Sequence, residues 1–206
     1  ESGGNFMNRN ENHKKVVTLT SLALLTAIVV VLQLIGSSFR IGPIPFSLVL
    51  VPIVIGAILF GPWAGAFLGA VFGVMALSGG ISGTDTFTAT LWSFSPFWTA
   101  LTCLLKGAAC GAVAGFVYRV FAKKQTLACI LAALVCPIVN TGVFALVMLT
   151  ALRTPLMQMA AVYGWTGSVV TVLFVTVIGV NFLVELGINA VLSAAIARII
   201  KAVQKH

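Results

Sequence analysis

From residue 16 onward the chain alternates between long apolar runs and short polar connections. Six apolar segments stand out, at 16–36, 47–60, 63–78, 96–121, 127–152 and 167–200. They are continuous rather than alternating, so they predict helices and not the roughly ten-residue alternating strands of a membrane barrel. A helix needs about 20 apolar residues to cross a hydrocarbon core of about 30 Å, and the longer segments meet that length. Gly61-Pro62 marks a tight turn between the second and third segments, which are the short ones. Pro43, Pro45 and Pro52 predict an irregular entry and a kink in the second. Lipid offers the backbone no hydrogen-bond partner, so a spanning segment must satisfy itself as a helix. The expectation is an all-α polytopic membrane protein with six transmembrane helices.

Composition sharpens this. Apolar residues make up 60% of the 206 and charged residues 8%, against about 45–50% and 25% in soluble domains. At a mean hydropathy of +1.12, too little polar surface exists to cover a water-soluble globule. A soluble enzyme, a nucleic-acid partner and a disordered chain are excluded on that ground. The net charge of +8 comes from 12 Lys and Arg against 4 Asp and Glu. Its distribution fits the positive-inside rule better than nucleic-acid binding. Lys14 and Lys15 precede the first segment; Arg119, Lys123 and Lys124 follow the fourth; Arg198, Lys201 and Lys205 close the sixth. Six crossings put all three clusters, and both termini, on the cytoplasmic side. The opposite loops, 37–46, 79–95 and 153–166, hold only Arg40, Asp85 and Arg153 as charges. Those loops also hold Phe39, Phe87, Trp92, Phe94, Tyr163 and Trp165, with Phe97 and Trp98 just beyond. They read either as an interfacial aromatic belt or as a lid over an outward-facing pocket.

Residues 1–6 resemble a leftover expression sequence with Met7 as the native start, and the polar N-terminus runs to residue 15. Residues 16–206 are expected to form one six-helix membrane domain. Cys103, Cys110, Cys129 and Cys136 lie in apolar segments without C-x-x-C spacing, and read as small buried residues rather than disulfides or metal ligands. Gly61, Gly65, Gly69 and Gly73 recur every fourth residue, as do Gly107, Gly111 and Gly115. Such rows let two helix backbones approach closely. Ala23 and Ala27 make a flat patch on the first helix, suited either to internal packing or to docking another membrane protein.

The residues that do not belong in lipid carry the most information. Lys106 and Glu185 sit deep in the fourth and sixth segments, where an unpaired charge costs about 2.5–3.5 kcal/mol on insertion scales. At 1.5 Å per residue, Lys106 lies about 25 Å from Lys123, and Glu185 about 20 Å from Arg198. Asn140 lies at about the same height, with Asn181 one turn outward of Glu185 and Asn189 one turn below it. The layer is expected to be a Lys106–Glu185 ion pair with amide hydrogen bonds, the floor of a ligand pocket, or both. Enzyme chemistry has no footing. The only histidines are His13 and His206, and no carboxylate pair, H-E-x-x-H, Ser-His-Asp set or P-loop is present. No metal or cofactor is expected, and any ATP-driven step needs another chain.

Taken together these residues resemble a known family. The run FSLVLVPIVIGAILFGPWAGAFLGAVFG at 46–73 is similar to helices two and three of the S components of energy-coupling factor (ECF) transporters. Ala23-x-x-x-Ala27, Phe94-Ser95-Pro96-Phe97 and Asn181…Glu185…Asn189 also resemble that superfamily. The resemblance spans most of the chain from Val16. It implies a six-helix vitamin-binding subunit of a prokaryotic plasma membrane, with its pocket near the outer face. It implies partners too: surrounding lipids, and a transmembrane coupling protein with two ATPase subunits, docked through Ala23 and Ala27.

The proline-rich first loop and the second-to-third-helix run are most similar to the pantothenate-type branch. A pantothenate carboxylate would call for a cation such as Arg40, Lys106 or Arg153, with Asn140, Asn181 and Glu185 meeting its other groups. Riboflavin would call for stacking from Trp92, Phe94 or Trp165. Folate, another micronutrient, or a structural membrane protein that transports nothing stay open as alternatives.

Overall fold

The computed structural model describes residues 2–36, 40–41, 44–45 and 48–203, with side chains described over 15–36, 48–198 and at 200. Phe39, Pro43, Phe46 and Lys205, and the side chains of Lys14, Arg40, Pro45 and Lys201, lie outside the described residues. Helix α1 (Ser2–Gly36) leads to a two-residue antiparallel pair, β1 (Arg40–Ile41) with β2 (Ile44–Pro45), Arg40 opposite Pro45. Then follow α2 (Leu50–Phe60), α3 (Pro62–Ile81), α4 (Thr86–Phe94) and α5 (Pro96–Val120). A 3-10 turn (Ala122–Lys124) joins α5 to α6 (Gln125–Thr150). After α7 (Arg153–Val162), the chain enters its last long helix as α8 (Val169–Thr171), a π-helical segment (Val172–Ile178) and α9 (Gly179–Val203).

Among the described residues, five stretches are long and apolar enough to cross a bilayer: Lys15–Gly36, Pro62–Ile81, Pro96–Val120, Ala122–Thr150 and Val169–Arg198. The sixth expected span is shorter than the sequence suggests. α2 has 11 residues, about 16 Å of helix, which falls short of a hydrocarbon core. Its expected kink is also absent as a mid-helix feature. Pro52 falls in the first turn of α2, where a missing N–H takes nothing from the helix. α1 begins upstream of the expected start, taking the polar N-terminal stretch into the same helix.

Two segments that read as loops are helical. α4 forms because Asp85 caps it: the carboxylate accepts from the Phe87 backbone N–H at 3.2 Å and from the Thr88 hydroxyl. Phe87 and Leu91, one turn apart, bury the inner face of α4. α7 buries Leu156, Met159 and Ala160 in the same way. Both helices are too short to span and lie in the connections on the side away from the basic clusters.

The glycine rows explain the packing. α3 and α5 run antiparallel with Gly65 against Gly111 and Gly69 against Gly107, carbonyl to Cα, and Gly73 against the Cys103 carbonyl. A Cβ on Gly115 would meet the Cα of Pro62 at 2.7 Å. Ordinary contacts begin near 3.4 Å, so no side chain fits along this seam. Gly61 turns the chain from α2 into α3 at φ 94°, a region where a side chain would be strained. Its open face is covered by the Arg119 guanidinium. The four cysteines are buried free thiols.

Two apolar clusters stack along the bundle. One is built around Leu50, Ile53, Leu68, Cys136 and Ile200; the other around Leu91, Met148, Leu152, Leu156 and Leu173. Phe72 belongs to the first and Phe87 and Ile178 to the second. A cavity lined by residues of both clusters lies where they meet.

Candidate functional site

Four of the polar residues singled out in the sequence line a single cavity: Lys106 from α5, Asn140 from α6, and Asn181 and Glu185 from α9. It encloses about 670 Å³ of unfilled space, its mouth included. α1 contributes Gln33, α3 contributes Phe72 and Ala76, and the capped start of α4 contributes Asp85, Phe87 and Thr88. Thr141, Phe144, Ile178 and Phe182 complete the wall.

Lys106 sits between two rings. Its Nζ is 5.4 Å from the Phe72 ring centroid and 5.5 Å from that of Phe144. A cation held this way gains about 2 kcal/mol or more when desolvated, which offsets part of the cost of its depth. The expected Lys106–Glu185 ion pair is not formed among the described residues. The Glu185 Oε1 instead accepts from Asn181 Nδ2 at 3.3 Å. Asn189 Nδ2 donates to the Glu185 backbone carbonyl at 2.9 Å. The i, i+4 spacing of 181, 185 and 189 puts all three on one face of α9.

That face is held in register by the segment before it. Val172, Leu173, Val177 and Ile178 are buried, a spacing wider than α-helical. The π turn therefore lets the outer end of the helix pack on the upper cluster while α9 points Asn181 and Glu185 inward.

The amides are incompletely satisfied. The Oδ1 atoms of Asn140, Asn181 and Asn189 are buried and accept no hydrogen bond among the described residues. Each such acceptor costs on the order of 1–3 kcal/mol unless something donates to it. Two of the three, Asn140 and Asn181, are on the cavity wall. Asp85 is different: both its oxygens serve the α4 cap.

Of the outer-loop aromatic residues expected over the pocket, Phe87 is on its wall, while Trp92, Phe94 and Trp165 are elsewhere. Trp92 is half-buried on α4 and Phe94 exposed at its end, and neither lines the cavity. Trp165 is half-buried, stacks on Tyr163 at 5.2 Å between centroids and packs on the upper cluster. The rings on the cavity are phenylalanines: Phe72, Phe87, Phe144 and Phe182. Phe87 is among the outer-loop aromatics of the sequence, but nothing there separates Phe72, Phe144 and Phe182 from the other phenylalanines, because an apolar ring on a core face and one on a cavity face obey the same periodicity. Gln33 and Asp85 were legible in principle. Gln33 is the lone polar side chain between Ala27 and Gly36 on α1, and Asp85 the lone acid of the outer loops. Arg153 is exposed. Ala23 and Ala27 are exposed on α1, opposite its inward-facing Leu25, Val29 and Leu32. Among the described residues no group of His, Cys, Asp and Glu could hold a metal.

The fold defines a multi-pass helical membrane protein with a charged, amide-bearing cavity between its helices. Within that class the family is clear. The chain belongs to the family of substrate-specific components of ECF transporters, whose model matches residues 17–197. A search of the curated proteins gives no match. Members of this family sit in the plasma membrane as substrate-binding subunits. They associate with transmembrane and ATPase components, and ATP hydrolysis lies on those partners.

Proposed function

We propose that the chain is the pantothenate-binding S component of an ECF importer. One observation carries the proposal: Lys106, held between Phe72 and Phe144, shares a cavity wall with Glu185 and with Asn140 and Asn181, whose Oδ1 atoms are buried without a donor. Lys106 is the only Lys or Arg among the described cavity residues. Around it the wall carries the Glu185 carboxylate and the amide and hydroxyl groups of Gln33, Asn140, Thr141 and Asn181. Such a wall suits a ligand with one anionic end and several hydrogen-bonding groups elsewhere. Pantothenate has one carboxylate, two hydroxyls and one amide N–H. Its carboxylate would face Lys106, and its donors would meet the two asparagines and Glu185. Ala23 and Ala27 serve as the docking face for the coupling protein, a role supported by their exposure on the flank of α1 that faces away from the bundle.

Riboflavin is the second reading. The observation favouring it is the set of four phenylalanine rings on the cavity, which could sandwich a flat ring system. A thermal-shift panel on the detergent-purified chain separates the two. A ligand at 100 times its Kd stabilises by about 2.7 kcal/mol. Stabilisation by pantothenate and not by riboflavin or folate supports the proposal. Stabilisation by riboflavin alone replaces it, and none by any vitamin refutes both.

A further inference from the structure

A second, smaller recess opens beside the main cavity, with about 250 Å³ of unfilled space, its opening included. The two share Thr88, Lys106 and Phe144 on their walls. All three are half-buried, whereas the rest of the recess is closed off. Leu91, Thr99, Thr102, Cys103, Met148 and Leu152 are each 5% exposed or less. The recess is therefore reached from the main cavity, past the stem of Lys106.

Its chemistry is the opposite of its neighbour's. The Thr99 hydroxyl donates to the Ser95 carbonyl at 2.9 Å, and that of Thr102 to the Trp98 carbonyl at 2.6 Å. The Thr88 hydroxyl donates to Asp85. Each threonine has thus spent its proton on its own helix or cap. Apart from Lys106 at the neck and the weak S–H of Cys103, no side-chain donor is left over in the recess, and no unpaired buried acceptor lies in it. A polar ligand group entering here would lose its water for at most a threonine oxygen already committed as a donor, while an apolar one loses nothing.

We infer that this recess is an apolar side subsite that takes a compact, methyl-bearing corner of the ligand. The inference rests on the vitamin-binding reading above and adds what that reading leaves out, the origin of selectivity for the ligand's apolar part. For pantothenate the group is the gem-dimethyl carbon between the two hydroxyls. The polar groups stay with Asn140, Asn181 and Lys106 while the methyls turn into the recess.

The experiment is a titration of the full-length purified chain with pantothenate and with its analogue lacking both methyls. It is run on the wild type and on Cys103→Leu, which grows a side chain into the recess. The Cys103 carbonyl, not its side chain, lies on the glycine seam. A methyl group removed from a fitted apolar pocket costs roughly tenfold or more. The wild type is expected to prefer pantothenate over the analogue by at least that factor. In Cys103→Leu pantothenate weakens, the analogue does not, and the preference falls to within about threefold. Cys103→Val gives a partial loss of preference should the leucine variant not fold. A wild-type preference under threefold, or one that survives in the filled variants, overturns the inference. If pantothenate fails to bind and riboflavin binds, the functional reading falls on its own. The same pair of tests then applies to riboflavin and its analogue without ring methyls. Binding of neither vitamin overturns both proposals together.

Discussion

Replacing Gly69 with alanine should damage both the bundle and the cavity. A Cβ there would lie 2.5 Å from the Gly107 carbonyl carbon and 3.1 Å from the Ala108 nitrogen, against an ordinary contact of 3.4–4 Å. The obstacle is backbone, so no rotamer relieves it. α3 and α5 must move apart by roughly 1 Å, and overpacking of this kind costs about 1–3 kcal/mol. For a chain of this size that corresponds to a fall of about 2–12 °C in Tm. Gly69 lies one turn below Phe72, and Gly107 follows Lys106. The same displacement therefore shifts the ammonium relative to the ring and weakens ligand binding. Gly142→Ala and Gly187→Ala are the controls. Nothing lies within 4 Å of a Cβ at either position, so each should melt within about 2 °C of the wild type. Thermal denaturation of the four proteins in one detergent makes the comparison. Equal melting temperatures for Gly69→Ala and Gly142→Ala would refute the claim that the glycine seam sets the helix spacing.

Other substitutions test other links. Lys106→Ala removes the single cation of the described cavity wall and should weaken an anionic ligand about ten- to a hundredfold, the worth of one charge-assisted hydrogen bond; unchanged affinity and Tm would sink the assignment. Asp85→Ala removes the α4 cap and should cost about 0.5–2 kcal/mol, read as a lower Tm with a smaller stabilisation by ligand. Ala23→Trp with Ala27→Trp adds bulk to the exposed face of α1 and should abolish uptake in cells while leaving binding to the isolated chain intact; lost binding with assembly preserved would contradict the docking role.

What could be read from the sequence follows the strength of each physical constraint. Long apolar runs announce helices because lipid permits the backbone nothing else. The glycine rows announced a close seam because no other residue repeats at that spacing without a purpose. Lys106, Asn140, Asn181 and Glu185 were legible because burying them in lipid is costly, and depth along a helix is simple arithmetic. The rest lacked such a constraint. α4 and α7 are short, and their helicity depends on one capping carboxylate and on packing against the upper cluster. The span of α2 was overestimated because its apolar run continues past the residues that are helical. Lys106 turned out to face two phenylalanines rather than Glu185, because cation–π contacts have no periodicity of their own in a sequence with 14 phenylalanines.

The most direct measurement is a calorimetric titration of pantothenate into the purified chain, repeated with Lys106→Met. That substitution keeps the length of the stem and removes the charge. The account predicts saturable one-to-one binding to the wild type and a loss of tenfold or more in the variant, with both proteins equally folded. Absent binding to the wild type, or equal affinity in the variant, would contradict the claim that this cavity recognises an anionic vitamin through Lys106.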